Sequence, residues 1–253
     1  MDNDFDIAIV GGGMAGATLA CALSAMRFHV ALLEARPLRT VDQLDDARSL
    51  ALGFGSRRIL SGLDLWPALA SVATPIKTIH ISQRGRFGAT RLNADEEGVE
   101  ALGYIVRKHD LGRAAYARLT SQSNVQVIAP ARLQDIAFEA SGASVTFVCQ
   151  PEGQKESETA LRCQLLIGAD GMDSDTRRRL NIGAAITDYG QTAVVTSVTS
   201  SRHHAFRAYE RFTDTGPLAL LPMEDNRCSL IWTHAPGGAQ SVMRLSDAEF
   251  LDA

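Results

Sequence analysis

Two short stretches of this chain carry residue types at spacings that could do chemistry. The first is Gly11-Gly12-Gly13-Met14-Ala15-Gly16, which matches G-x-G-x-x-G at Gly11, Gly13 and Gly16. It follows an apolar, β-branched run, Phe5–Val10, and opens a segment rich in helix formers from Ala17 to Met26. In such a strand–loop–helix unit the first glycine permits the tight turn and the second lets backbone approach a pyrophosphate. The third lets helix and strand pack closely. The free N–H groups and positive potential of the helix start favour phosphates. A second strand, His29–Leu33, ends at Glu34, where a carboxylate can accept from both hydroxyls of a ribose. Together these elements predict an adenine dinucleotide site without a ribose 2′-phosphate, and they leave NAD and FAD both open.

The second stretch runs from Leu165 to Leu180, LLIGADGMDSDTRRRL. It reads as a buried strand, Leu165–Ala169, broken at Asp170-Gly171 and followed by a basic helix from near Ser174. Ligands of open parallel sheets gather at the carboxyl ends of the strands. If this strand lies beside Ile7–Val10, Asp170 projects into the crevice of the glycine loop. Gly168 and Gly171 leave room for close approach of a ligand, Ser174 can cap the helix, and Arg177 points toward that cap and its acidic neighbours. The plainer alternative is a turn in which Asp170 only caps a helix. Arg177-Arg178-Arg179 reads otherwise as a solvated helix face.

These turns need elements to hold them. A polar loop through Asp45 and Asp46 leads by Arg48 into a short strand ending at Gly53, then a helix runs from Ser56 to Trp66-Pro67. Arg48 is either a surface partner of Asp45 or Asp46 or an arginine that reaches a larger cofactor. Ile76–Gln83 and Phe87–Leu92 alternate around Arg84-Gly85 as a hairpin, and Tyr104–Val106 is a short strand. Asp110 caps a helix to Thr120 with Leu111, Ala115 and Leu119 on one face. Val125–Ile128, Ala131–Phe138 and Ser144–Cys149 follow as strands, and Gln150–Thr159 as a surface turn. Ala193–Thr199, Ala205–Phe212, Gly216–Leu221 and Cys228–Trp232 predict an antiparallel sheet with one dry face. The expected organisation is a discontinuous nucleotide-binding domain, residues 1–75 and 101–182, and a β-rich domain of residues 76–100 and 183–253.

Composition narrows the function classes. The 253 residues are 45% hydrophobic and carry a formal net charge of −4, which speaks against nucleic acid as the main partner and against disorder. The acidic start and the absence of a long apolar run give no sign of a secretory or membrane-spanning segment, so a cytoplasmic protein is expected. Four scattered cysteines, Cys21, Cys149, Cys163 and Cys228, read as reduced core residues. The histidines have no metal-ligand spacing: His203-His204, placed on a strand, would point to opposite faces. No metal site is expected. No Ser/His/Asp group or carboxylate pair stands out either, and no catalytic acid or base is assigned.

Gly11-x-Gly13-x-x-Gly16 with Glu34, then Asp46-Ala47-Arg48, then Gly168-Ala169-Asp170-Gly171-x-x-Ser174-x-x-Arg177, in this order, resembles the single-component FAD-dependent aromatic hydroxylases. DYGQTAVVTSV and AYERFTDTGPLALLPMEDNRCSLIWT are similar to the ubiquinone-biosynthesis branch of that family, the hydroxylases of polyprenylated methoxyphenols, and the likeness extends from Asp6 to Phe250. The resemblance implies an α/β fold: a Rossmann-like FAD-binding domain with a mixed-sheet, β-rich substrate domain, as in p-hydroxybenzoate hydroxylase. It implies FAD as cofactor, NAD(P)H as reductant, O2 as co-substrate and a prenylated phenol as substrate. Sibling hydroxylases of another ring carbon or of small phenolic acids, and a non-catalytic dinucleotide-binding module, stay open.

Carried onto this sequence, the family's cofactor contacts fall on Gly11, Gly13, Met14, Ala15, Gly16, Glu34, Ala35, Arg48, Arg107, Gly168, Asp170, Gly171, Ser174 and Arg177. The substrate wall over the flavin falls on Arg211, Phe212, Gly216, Pro217, Leu220 and Pro222. For Arg211 an ion pair with Glu210 or Asp214 is the plainer alternative. A greasy substrate implies partner proteins of a ubiquinone-biosynthesis complex or peripheral membrane contact. Ser246 and Glu249 form a capping box, with Leu245 and Phe250 as a hydrophobic staple. A helix of about two turns is marginal alone. Family members also continue into a second Gly-Asp motif and a helical tail. The expectation is therefore an N-terminal part of a longer protein, poor at holding FAD and inactive by itself.

Overall fold

The computed structural model describes residues 4–38, 48–150 and 155–252. In chain order the first elements are β1 (Phe5–Val10), α1 (Met14–Ala25), β2 (Val30–Leu33), β3 (Ser49–Gly53), α2 (Phe54–Gly62) and α3 (Trp66–Leu69). Next come β4 (Thr74–Ile76), β5 (Thr78–Gln83), β6 (Ala89–Asn93), β7 (Gly103–Arg107), α4 (Lys108–Thr120), β8 (Val125–Ile128), β9 (Ala131–Glu139) and β10 (Gly142–Cys149). β11 (Ser157–Gly168), α5 (Asp175–Arg179), β12 (Thr192–Thr199), β13 (Arg207–Thr213), β14 (Gly216–Pro222), β15 (Arg227–His234), α6 (Gly238–Val242) and α7 (Asp247–Asp252) complete the described chain. The polar loop through Asp45 and Asp46 lies outside the described residues.

The chain divides into two compact units, one of Met1–Asp45, Leu63–Leu65 and His109–Ala185, the other of Asp46–Gly62, Trp66–Lys108 and Ile186–Ala253. β3, α2, α3 and β4 thus cluster with the second unit, while Leu63–Leu65 between α2 and α3 cluster with the first. The first unit is an α/β layer around a six-stranded sheet in the order β8-β2-β1-β11-β10-β9. β8, β2, β1 and β11 run parallel, and β9–β10–β11 is an antiparallel meander. β11 does two jobs: Ser157–Cys163 pairs with β10, and Cys163–Gly168 pairs with β1. On one face its core is continuous from Val10 and Leu33 to Val145, Phe147 and Cys163, and the parallel strands β1 and β2 are buried on the other face as well, through Ile7, Ile9, Val30 and Leu32.

Several local expectations change. α1 begins at Met14 rather than Ala17, so the motif residues Met14–Gly16 form its first turn. The segment expected as one helix from Ser56 to Pro67 splits into α2 and α3 where Asp64 takes φ 59°, a left-handed value that a helix cannot continue through. Asp110 does not cap α4. It lies inside the helix, 5% exposed, with its carboxylate 3.1 Å from His109 Nε2 and 3.3 Å from Arg113. β11 starts at Ser157, within the expected surface turn, because the β10 hairpin pairing runs on to Cys149–Ser157. Leu165 is 53% exposed, while Leu166 packs on the core.

The second unit holds a six-stranded sheet, β12-β15-β14-β13-β5-β6, and a three-stranded sheet, β3-β7-β4. In the larger sheet β12, β15, β14 and β13 are antiparallel as expected, and β5 joins β13 in parallel over Arg207–Phe212, which makes the sheet mixed. Ile76, Ile105, Ala208 and Met223 bury its core, with Ile79 and Leu221 packed against them. Ser246 N–H and Oγ donate to Glu249 Oε2 at 2.8 and 2.7 Å, so the capping box at α7 is formed, and Phe250 meets the Trp232 ring at 6.0 Å. His203 and His204 lie in a loop, not on a strand, with ring centroids 4.7 Å apart. Among the described residues no group of three potential ligands gathers to hold a metal. Cys21, Cys163 and Cys228 are buried and all four cysteines are free.

Candidate cofactor site

Strand ends of the first unit build the glycine loop. Gly11 N–H donates to Leu33 O at 2.8 Å, and Ala169 N–H donates to Val10 O at 2.7 Å. Gly11 has φ +105°, and a Cβ there would stand 2.5 Å from Ala169 O and 2.6 Å from Asp170 Cα. The two motif turns therefore touch through bare backbone. At Gly16 a Cβ would stand 1.9 Å from Gly11 O, so the first turn of α1 closes directly on the loop. Gly13 differs: nothing lies within 4 Å of its Cβ position, and no side chain caps α1 there. This open helix start, with Gly13 and Ala15 exposed and Met14 half-buried, suits backbone donation to a pyrophosphate.

Glu34 sits at the end of β2. Its Oε2 accepts from Gly12 N–H at 2.8 Å and its Oε1 from Arg36 N–H at 2.9 Å. A carboxylate offers about four lone-pair positions, so two remain for ribose hydroxyls. Ala35 is exposed beside it. The residues present thus fit an adenine dinucleotide. Sequence reasoning missed Tyr116, on α4, whose hydroxyl donates to Gly12 O at 2.7 Å. Burial and then the Glu34 charge hold its phenol protonated far above the usual tyrosine range.

Asp170 does what the plainer alternative foresaw and also lies against the glycine loop. Its Oδ1 accepts from Ser174 Oγ at 2.5 Å, and its Oδ2 accepts from Thr176 N–H at 2.9 Å and Thr176 Oγ1 at 3.0 Å. Burial pushes its carboxyl up, but these hydrogen bonds from Ser174 and Thr176 outweigh burial and hold it below the usual carboxylate range. Ser174 caps α5 by accepting from Arg177 N–H at 2.9 Å. The Arg177 guanidinium donates to Met172 O at 3.0 Å.

Gly168 is small for a reason internal to the chain: a Cβ there would meet Thr176 Cγ2 at 3.0 Å. Gly171, at φ +89° with open space around it, keeps the role of leaving room. Gly168→Ala is therefore expected to cost about 1–2 kcal/mol by overpacking Thr176, read by urea denaturation.

In the second unit Arg107, at the end of β7, pairs with Glu224, which also lies 3.3 Å from Arg227. Arg48 is exposed, and its carbonyl accepts from Lys108 N–H at 3.2 Å. The residues assigned to a substrate wall do not share one surface. Tyr209 opposes Leu220 and Arg211 opposes Leu218, whereas Phe212 opposes Pro217. Side chains alternate along a strand, so Arg211, Gly216, Leu220 and Pro222 lie on one face and Phe212 and Pro217 on the other. Among the described residues no ion pair joins Arg211 to Glu210 or Asp214.

The chain is 34% identical over 250 residues to the ubiquinone hydroxylase UbiL of Rhodospirillum rubrum, covering 98% of this chain and 56% of that protein. It is 30% identical over 247 residues to 3-demethoxyubiquinol 3-hydroxylase of Escherichia coli K12, covering 96% of this chain and 61% of that protein. The chain thus spans a little over half the length of these relatives. PqsL of Pseudomonas aeruginosa, described as a probable FAD-dependent monooxygenase, has the same fold, with a TM-score of 0.79 at 20% identity over 98% of this chain and 65% of its own. The model for the FAD binding domain matches residues 4–250, which include the glycine loop, Glu34 and the Asp170 turn; this chain belongs to the FAD-binding domain family.

Proposed function

We propose that the protein to which this chain belongs is an FAD-dependent monooxygenase that uses NAD(P)H and O2 to hydroxylate a polyprenylated phenol ring in ubiquinone biosynthesis. The observation that carries the reading is the backbone contact between Gly11 and the Ala169–Asp170 turn. It brings two separate motifs to the carboxyl ends of β1 and β11, where an open α/β sheet binds ligand. The relatives' names, a ubiquinone hydroxylase and a 3-demethoxyubiquinol 3-hydroxylase, support the choice of substrate class.

In this reading the first unit holds the adenosine end. Gly13, Met14, Ala15 and the α1 start take the pyrophosphate, Glu34 and Ala35 the ribose, and Asp170, Gly171, Ser174 and Arg177 the second side. In the second unit, taken by itself, the sheet offers substrate contacts from Phe212 and Pro217 or from Arg211 and Leu220. When bound, the flavin supplies the redox and oxygen chemistry. The chain's own residues bind, orient and exclude water. No helix among the described residues is long and apolar enough to cross a membrane. A cytoplasmic location, with peripheral membrane contact or a partner of ubiquinone biosynthesis delivering the substrate, completes the proposal.

The full-length protein is expected to purify yellow with a flavin spectrum, and a prenylated phenol is expected to accelerate its NAD(P)H consumption and to gain one hydroxyl. Acceleration by hydroxybenzoates instead would reassign the substrate class. Bound dinucleotide with no stimulated turnover would leave a non-catalytic module. Mass and NMR analysis of the product identifies the ring carbon.

A further inference from the structure

We infer that Tyr116 is a positioning residue for the dinucleotide: its hydroxyl fixes the Gly12 carbonyl, and through the backbone of that residue the amide that holds the Glu34 carboxylate, in the orientation that receives the adenosine ribose. The inference rests on the FAD-site reading above. Tyr116 is 104 positions from Gly12 in sequence, yet its hydroxyl donates to Gly12 O at 2.7 Å. The N–H of that same residue donates to Glu34 Oε2 at 2.8 Å. One glycine is therefore held on both sides, its carbonyl by the phenol and its amide by the carboxylate.

The fit is close enough to forbid a side chain. A Cβ on Gly12 would stand 2.1 Å from the Tyr116 hydroxyl, 2.8 Å from Glu34 Cβ and 2.9 Å from Glu34 Oε2. This glycine lies at a position where G-x-G-x-x-G accepts any residue, so its smallness answers to Tyr116 and Glu34 rather than to the phosphates.

The elements bearing the three residues are rigid. α4 presents Leu111, Ala114, Ala115 and Leu119 to the core, α1 presents Gly16, Ala17, Ala20, Cys21 and Ser24, and Cys21 Sγ contacts Ala115 O at 3.7 Å. Ala115 immediately precedes Tyr116, so the ring is anchored at its base. At the far end, Glu34 N–H donates to Ile128 O at 3.0 Å and Ala131 N–H to Glu34 O at 2.7 Å, which fixes the carboxylate's backbone.

A carboxylate free to rotate would lose its aim on two vicinal hydroxyls. Donors that hold it beforehand reduce the ordering that binding must otherwise impose. Burial and then the neighbouring Glu34 charge raise the Tyr116 phenol, which keeps the hydroxyl protonated and a donor.

The test uses the full-length protein, with FAD, ADP and 2′-deoxy-ADP as probes in calorimetry. The unaltered protein is expected to prefer ADP over 2′-deoxy-ADP. Tyr116→Phe removes only the hydroxyl. It is expected to weaken FAD about tenfold, as loss of one hydrogen bond to a preorganised site implies, and to shrink the ADP preference toward one. Loss of the hydroxyl also leaves the Gly12 carbonyl without its donor and lowers the apo melting temperature somewhat, so the ADP preference is the readout that packing alone does not move. Gly12→Ala displaces the hydroxyl from the other side and should reduce the ADP preference in the same way. An ADP preference equal to that of the unaltered protein in Tyr116→Phe, even with a lower melting temperature, overturns the inference and makes Tyr116 a packing residue. An unaltered protein that takes up neither FAD nor ADP overturns the cofactor reading itself.

Discussion

Alanine at Gly11 is expected to abolish flavin retention and to destabilise the chain by more than about 3 kcal/mol. Two independent penalties act there. The residue holds φ +105°, a conformation costly for any residue with a Cβ. The added carbon would also fall 2.5 Å from Ala169 O and 2.6 Å from Asp170 Cα, both backbone atoms that no rotamer change can move. Relief requires β1 and β11 to part at their carboxyl ends, which would separate the glycine loop from the Asp170 turn. The same displacement opens the pyrophosphate cradle, so stability and cofactor binding fall together. Denaturation by urea and the flavin absorbance retained through gel filtration of the full-length protein read the two effects. Wild-type flavin content in Gly11→Ala would show that the two turns need not touch.

Asp170→Ala is expected to cost about 2–4 kcal/mol and to lower FAD affinity markedly, because it removes the acceptor of three hydrogen bonds from Ser174 and Thr176. The charge makes a distinct contribution that Asp170→Asn isolates. The carboxyl is depressed in the folded chain, by hydrogen bonds that outweigh the opposing effect of burial. Its stabilisation is then fully present above the unfolded aspartate value of about 3.9 and disappears as pH falls through the lower folded value. The protein should therefore lose part of its stability below about pH 4, and Asp170→Asn should lack that part of the loss. Thermal denaturation of both proteins between pH 3 and 7 measures it. Identical slopes below pH 4 would mean that the charge is not what Ser174 and Thr176 hold.

The parts of the site that were legible in sequence are those whose cause is local. The glycine loop announces itself because its G-x-G-x-x-G spacing lies within one strand–turn–helix unit, although the contact that keeps Gly11 bare comes from Ala169 and Asp170. Ser174 and the Ser246–Glu249 box are legible for the same reason, since a cap needs only neighbours three residues away. Asp170 was ambiguous because capping and crevice-facing residues look alike until the strand before them has a partner. Tyr116 was invisible: it stands one position beyond Ala115 on an amphipathic helix, and its partner is 104 residues away.

Strands joined by turns were legible too: β12 to β15 are antiparallel as expected, whereas the parallel pairing of β13 with β5 joins distant parts of the chain and has no local signal. In the substrate wall strand alternation alone separates Arg211 from Phe212, which the grouping implied by the resemblance overlooked.

The double duty of β11 sets a timetable for synthesis. β1 and its glycine loop leave the ribosome early, with β2 and β8 available to one edge of β1. The other edge waits for Cys163–Gly168, after the whole β9–β10 meander has been made. Until then β1 exposes unpaired backbone, the kind of edge that recruits other chains. Flavin cannot rescue the intermediate, because Ala169 and Asp170, which close on Gly11, arrive later still. A nascent chain stalled before Gly168 should therefore aggregate whether or not flavin is abundant, and one extended past Arg179 should begin to escape that fate.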